Sequence, residues 1–141
     1  MKRKQPTNWL PRDLMIAPYM ALVLSQDEFD AALLELGSAE RLTWLSSPYS
    51  NATVSYLEDA KKELCVIVAL QVLPETEPIQ IAGILTHEAV HVFQQYCSRI
   101  GEENPSSEFE AYSIQSIAQR LMQAYSERIL AGTLPPLKAM Q

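Results

Sequence analysis

The sequence contains little histidine, cysteine, glycine or positive charge. Two histidines, two cysteines and four glycines occur among its 141 residues. Cys65 and Cys97 form neither a CxxC pair nor a disulfide framework, which favours a reducing compartment. Asp and Glu outnumber Lys and Arg by 17 to 11, and the only basic cluster is Lys2-Arg3-Lys4. Because nucleic-acid binding needs a broad basic surface, we expect no nucleic-acid partner.

Long apolar runs are also missing, so no segment has the length of a membrane span and we expect no membrane partner. Polar residues and Pro11 separate the basic cluster from the apolar stretch 14–24, and Pro18 divides that stretch, which argues against a signal peptide. Hydrophobic residues make up 48% of the chain and charged residues 20%, a globular balance. The predicted organisation is a flexible arm (1–13), a single domain (14–132) and a loose tail (133–141), in the cytoplasm.

The hydrophobic pattern of the first half of the chain predicts a strand, a helix and a hairpin. An apolar run over residues 19–24 should form a strand that leads into a helix over 26–36. Residues 38–51 are typical of a loop, in which 41–45 could form a helical turn. Residues 53–57 and 64–70 predict a β-hairpin. Its second arm is continuously apolar and should be a central strand, whereas the mixed first arm should be an edge.

Two long helices are predicted for the second half of the chain. The first should begin at Pro78 and end near residue 99, and the second should run from about 104–107 to Leu130. The predicted inner stripe of the second helix comprises Ile114, Ile117, Ala118, Leu121 and Met122. The whole pattern predicts an α+β fold with a short, mainly antiparallel sheet of about three strands, packed on these two helices.

Both histidines lie in one stretch of the first long helix, His87-Glu88-Ala89-Val90-His91. Residues four apart share a helix face, so the two imidazoles could bind one cation. The stretch reads HExxH, a zinc-binding motif in which Glu88 would lie beside the metal-bound water. A catalytic zinc ion needs three protein ligands and an open position for that water. The motif therefore predicts a Zn²⁺ site and supplies two of its three protein ligands.

The following helix offers two candidates for the third ligand, Glu108 and Glu110. Residues two apart on a helix point in different directions, so only one of these glutamates can face the metal. Either could instead stabilise the helix N-terminus, and Ser107 with Glu110 fits a capping box. Cys97 lies on another face of the motif helix, and we interpret it as structural.

In these residues the sequence resembles the gluzincin class of zinc metallopeptidases, in which HExxH is completed by a glutamate on a following helix. The segment Glu108-Phe109-Glu110-Ala111-Tyr112 is similar to the Glu-x-Glu-Ala pattern of ImmA/IrrE-type peptidases, and the order of elements resembles short prophage-encoded proteins. The resemblance covers about residues 78–122. It implies a zincin-like fold, a Zn²⁺ cofactor and Glu110 as third ligand, with Glu108 as the alternative. Many gluzincins orient a histidine with an aspartate four residues after that ligand, where this chain has Ile114, so another acceptor is needed.

The predicted function is a cytoplasmic zinc metallopeptidase of phage or prophage origin, with Glu88 as general base. Tyr112, Tyr96 or Arg99 could supply the oxyanion donor. The peptide or protein substrate should lie extended along the edge strand at 53–57. One alternative is a zincin-derived protein that binds metal without turnover. The other is an α+β interaction module in which the HExxH stretch is incidental.

Overall fold

The computed structural model describes residues 7–10, 18–38 and 40–132. The first of its two compact units contains the described residues up to Gln71, and the second contains those from Val72 onward. Together the helices and the sheet confirm the α+β class. The predicted tail and most of the predicted arm lie outside the described residues. In chain order the elements are β1 (Tyr19–Val23), α1 (Gln26–Glu35), β2 (Ala52–Glu58), β3 (Leu64–Leu70), α2 (Pro78–Ile100) and α3 (Ser107–Leu130).

The three strands form one sheet in the order β1-β3-β2. β2 and β3 are antiparallel, with Thr53 opposite Ala69 and Leu57 opposite Cys65, which confirms the predicted hairpin. The strand order also confirms that the second arm of the hairpin is central and that the first arm is an edge. β1 pairs with β3 in parallel, so the sheet is mixed, and the prediction of a mainly antiparallel sheet is wrong. Parallel neighbours need a long crossover connection, and α1 lies in the chain between these two strands.

The core of the first unit lies between β3 and α1. Ile67 and Ala69 of the strand pack with Phe29 and Leu33 of the helix. Side chains alternate between the two faces of a strand, so Val66, Val68 and Leu70 point to the face opposite Ile67 and Ala69. All three are fully buried as well, which confirms β3 as a strand covered on both faces.

Part of the predicted N-terminal arm contacts this first unit. The Glu35 carboxylate accepts hydrogen bonds from the Thr7 amide and from Trp9 Nε1, each at 2.7 Å. The Leu10 amide donates to the Met20 carbonyl at 2.9 Å, and the Leu10 side chain is buried. Residues 7–10 are therefore held at the end of α1 and along β1.

The loop after α1 contains no helical turn at residues 41–45, so that suggestion is wrong. Gln26 of α1 donates from its amide nitrogen to the Leu42 carbonyl at 2.9 Å, and its amide oxygen accepts from the Trp44 amide at 3.1 Å. Because these backbone groups bond a side chain, they do not need helical partners. At its own start, α1 is capped by Ser25, whose hydroxyl accepts a hydrogen bond from the Glu28 amide at 3.2 Å.

The second unit is a helical hairpin whose ends follow the sequence signals. α2 has Pro78 as its first residue and ends at Gly101, which has a φ of 75° in the left-handed region that glycine tolerates. The Ser106 hydroxyl caps α3 by accepting from the Phe109 amide at 3.3 Å. The rings of Phe93 and Phe109 pack edge to face, 5.7 Å apart. In the described part of the chain, no helix is long and apolar enough to cross a membrane.

The buried stripe of α3 overlaps the predicted one but is not identical to it. Ile117, Ala118 and Leu121 are buried as predicted, whereas Ile114 and Met122 are half-buried. The helix also buries Ser113, Ala124 and Tyr125.

Removal of the Tyr125 hydroxyl is expected to stabilise the protein. Tyr125 is 7% exposed, and its hydroxyl has no hydrogen-bond partner among the described residues. Burial raises the pKa of this phenol. A buried donor without a partner costs folding energy, so Tyr125→Phe should raise the free energy of unfolding by ~1 kcal/mol, measured by urea denaturation. Tyr49→Phe, at a residue that is 93% exposed, is the control and should change nothing. A clear loss of stability in Tyr125→Phe would show that the hydroxyl has a partner.

Candidate metal centre

The two histidines lie side by side on an exposed face of α2. His87 Nε2 and His91 Nε2 are 3.1 Å apart, and the two rings meet at 75°. Two imidazoles bound to one tetrahedral zinc ion, with Zn–N bonds of about 2.0–2.1 Å, hold their nitrogens about 3.3 Å apart. The spacing of the two nitrogens therefore fits two ligands of one ion. Both side chains are exposed, so solvent reaches them directly.

His91 also contacts Gln94, one turn further along α2. His91 Nδ1 lies 3.2 Å from Gln94 Oε1. The gluzincin resemblance requires an acceptor for a histidine N–H, because Ile114 stands where many gluzincins have an aspartate. That acceptor was not identified from the sequence. The available signal was the spacing, since residues three apart on a helix are neighbours on its surface.

Glu88 differs from the two histidines in being buried, with 8% of its surface exposed. Burial raises the pKa of its carboxyl, and positive charge on His87 and His91 acts against this rise. Among the described residues, Ser113 is the other buried polar side chain. A carboxyl whose pKa is raised toward neutrality is better suited to take a proton from water and to release it again.

The third predicted ligand does not reach the histidine pair. Within residues 7–10, 18–38 and 40–132, no three His, Cys, Asp or Glu side chains form a group that could hold a metal ion. Glu108 and Glu110 are both exposed in the first turn of α3. The structure thus brings together His87 and His91, and it leaves the glutamates apart from them.

A cleft of about 540 Å³ lies where the end of α2 meets the start of α3. Its lining includes Gln94 and Cys97 from α2 and Glu110 from α3, but not Glu108. Burial raises the pKa of the Cys97 thiol, and the charges of Glu102 and Glu110 raise it further. The thiolate is the form that binds metals, so this shift disfavours Cys97 as a ligand and agrees with its structural interpretation.

The three candidate oxyanion donors have different environments. Tyr112 on α3 is 68% exposed. On α2, Tyr96 is half-buried and Arg99 is exposed. Tyr112 lies on the same helix as Glu110, two residues further along the chain.

Comparison of this chain with protein-family models, with curated proteins and with solved structures finds no match. The gluzincin resemblance therefore rests on the motif residues alone.

Proposed function

We propose that this protein is a zinc-dependent metallopeptidase with a zincin-like fold. The observation that carries the proposal is the 3.1 Å separation of His87 Nε2 and His91 Nε2 on an exposed helix face. His87, His91 and Glu110 would hold the ion. When bound, zinc would polarise the scissile carbonyl and lower the pKa of a water molecule.

Glu88 would act as the general base. Its carboxylate would accept a proton from the attacking water and then donate that proton to the leaving amine, so the carboxylate is regenerated in each cycle. The buried position of Glu88 supports this role, because burial favours the protonated form that must exist between the two transfers. Tyr112 is proposed as the oxyanion donor.

Glu110 is the better candidate for the third ligand. It lines the same cleft as Gln94, and Gln94 contacts His91 directly. Glu110 is exposed, so a rotamer change would disturb little packing. We propose that this side chain turns toward the histidines when zinc binds.

Substitution of each glutamate is expected to separate the two candidates. Glu110→Ala should weaken zinc binding by at least about 100-fold. Loss of a group that only orients a metal-binding residue weakens binding by about 10- to 100-fold, and loss of a ligand itself should have a larger effect. Glu108→Ala removes the same charge from the same helix turn and is the matched control, which should bind zinc as the wild type does. Competition with a chromophoric chelator measures both affinities. A large loss in Glu108→Ala alone would identify Glu108 as the ligand, and small losses in both would place the ligand elsewhere.

The alternative function is metal binding without turnover. The separation of the acidic side chains from the histidine pair favours it, because a catalytic zinc site needs three protein ligands and no three candidate ligands lie together among the described residues. Incubation of the zinc-loaded protein with a broad peptide library, read by mass spectrometry, distinguishes the two functions. A peptidase should cleave the library, lose that activity with a chelator and regain it with zinc. A library that stays intact under all three conditions would leave only the binding function.

A further inference from the structure

We propose that Gln94 is a positioning residue of the metal centre: its side-chain oxygen accepts a hydrogen bond from Nδ1–H of His91 and thereby directs the Nε2 lone pair of His91 toward the ion. The contact is 3.2 Å long. This inference rests on the proposed function, because it concerns how the chain prepares a ligand for zinc.

The tautomer of His91 follows from this hydrogen bond. A neutral imidazole carries one N–H, and an amide oxygen can only accept, so the bond to Gln94 places the proton of His91 on Nδ1. Nε2 of His91 then carries a lone pair and no proton. This is the form in which a histidine binds a metal through Nε2.

The position of Gln94 suits this role. It is exposed on α2, one turn after His91, and it also lines the cleft that Glu110 borders. Its amide oxygen replaces in function the aspartate that the sequence lacks at Ile114. Because the amide is neutral, Gln94 orients the imidazole without adding charge to a region that already contains Glu102, Glu103 and Glu110.

Nitrogen–proton NMR correlations of the metal-free protein test the tautomer directly. At a pH at which its imidazole is neutral, His91 should carry its proton on Nδ1. Gln94→Leu should remove the preference of His91 for Nδ1–H. A wild-type His91 with its proton on Nε2 would overturn the inference, whether or not the protein binds zinc.

Zinc affinity provides the second readout. Gln94→Leu should weaken zinc binding by about 10- to 100-fold, as is usual for loss of a group that orients a metal-bound histidine. Gln94→Glu keeps an acceptor oxygen at the same distance from the backbone and should restore at least the wild-type affinity. Gln95→Leu and Gln95→Glu are the controls for size and charge and should have no comparable effect. Wild-type affinity in Gln94→Leu, alongside a large loss in His91→Ala, would reject the role of Gln94 and retain the metal site; a wild type that binds no zinc would reject the site itself.

Discussion

Glu88→Gln is expected to lower kcat/KM for peptide hydrolysis by about 100- to 10,000-fold, the usual contribution of a general base. Glutamine has nearly the same shape as glutamate but cannot accept the proton of the attacking water. Zinc affinity should stay close to that of the wild type, because Glu88 is buried and is not one of the proposed ligands. The measurement is the initial rate of cleavage of a peptide selected from the library, with zinc content checked in both proteins. Equal rates would remove Glu88 from the mechanism.

The stability of the zinc-free Glu88→Gln variant shows whether a loss of rate arises from a damaged fold. Since burial raises the pKa of Glu88 above its ordinary value of 4.5, its contribution to stability is complete below that value and is lost as the pH rises through the folded pKa. Glutamine carries no charge and avoids this loss. At neutral pH the variant should therefore unfold at a higher urea concentration than the wild type, and the difference should shrink in acid.

His87→Ala and His91→Ala are each expected to weaken zinc binding by about 100- to 1,000-fold. The free energy of zinc binding at a protein site is of the order of 10 kcal/mol and is shared among a few ligands, so each ligand contributes a few kcal/mol. Both imidazoles are exposed, and substitution at exposed positions changes stability by about 0.5 kcal/mol or less. Isothermal titration calorimetry measures the affinities, and urea denaturation in a chelator checks the fold.

Ser98→Ala is the matched control for the histidine variants. Ser98 is exposed on α2, two turns after His91, and it lines the adjoining cleft. Its substitution should leave zinc affinity unchanged. Wild-type affinity in either histidine variant would contradict a site in which both imidazoles bind the same ion.

The elements of the fold were predictable because each has a local signal. Pro78 and Gly101 mark the ends of α2, and the continuously apolar β3 indicated a strand buried on both faces. The direction of β1 against β3 was not predictable, because the five residues of β1 contain no information about which strand they join. Pairing of strands distant in the sequence is decided by the tertiary structure.

The candidate site was predictable to the extent that it lies on one helix. Spacing alone placed His87 and His91 on one face of α2, and the 3.1 Å separation of their Nε2 atoms agrees with that placement. The same spacing argument identifies Gln94 once an acceptor for His91 is sought. The burial of Glu88 could not be derived from the motif, since it depends on what covers that side of the helix. The distance from Glu110 to the histidines likewise depends on how α3 packs on α2.

The zinc content of the purified wild-type protein tests the central claim most directly. The protein would be expressed in zinc-supplemented medium, freed of loosely bound metal by gel filtration and measured by elemental analysis against its concentration. About one equivalent of zinc per chain is expected from a site with three protein ligands. Less than about a tenth of an equivalent would contradict both the peptidase and the metal-binding function, since a site of this kind should retain its ion through purification.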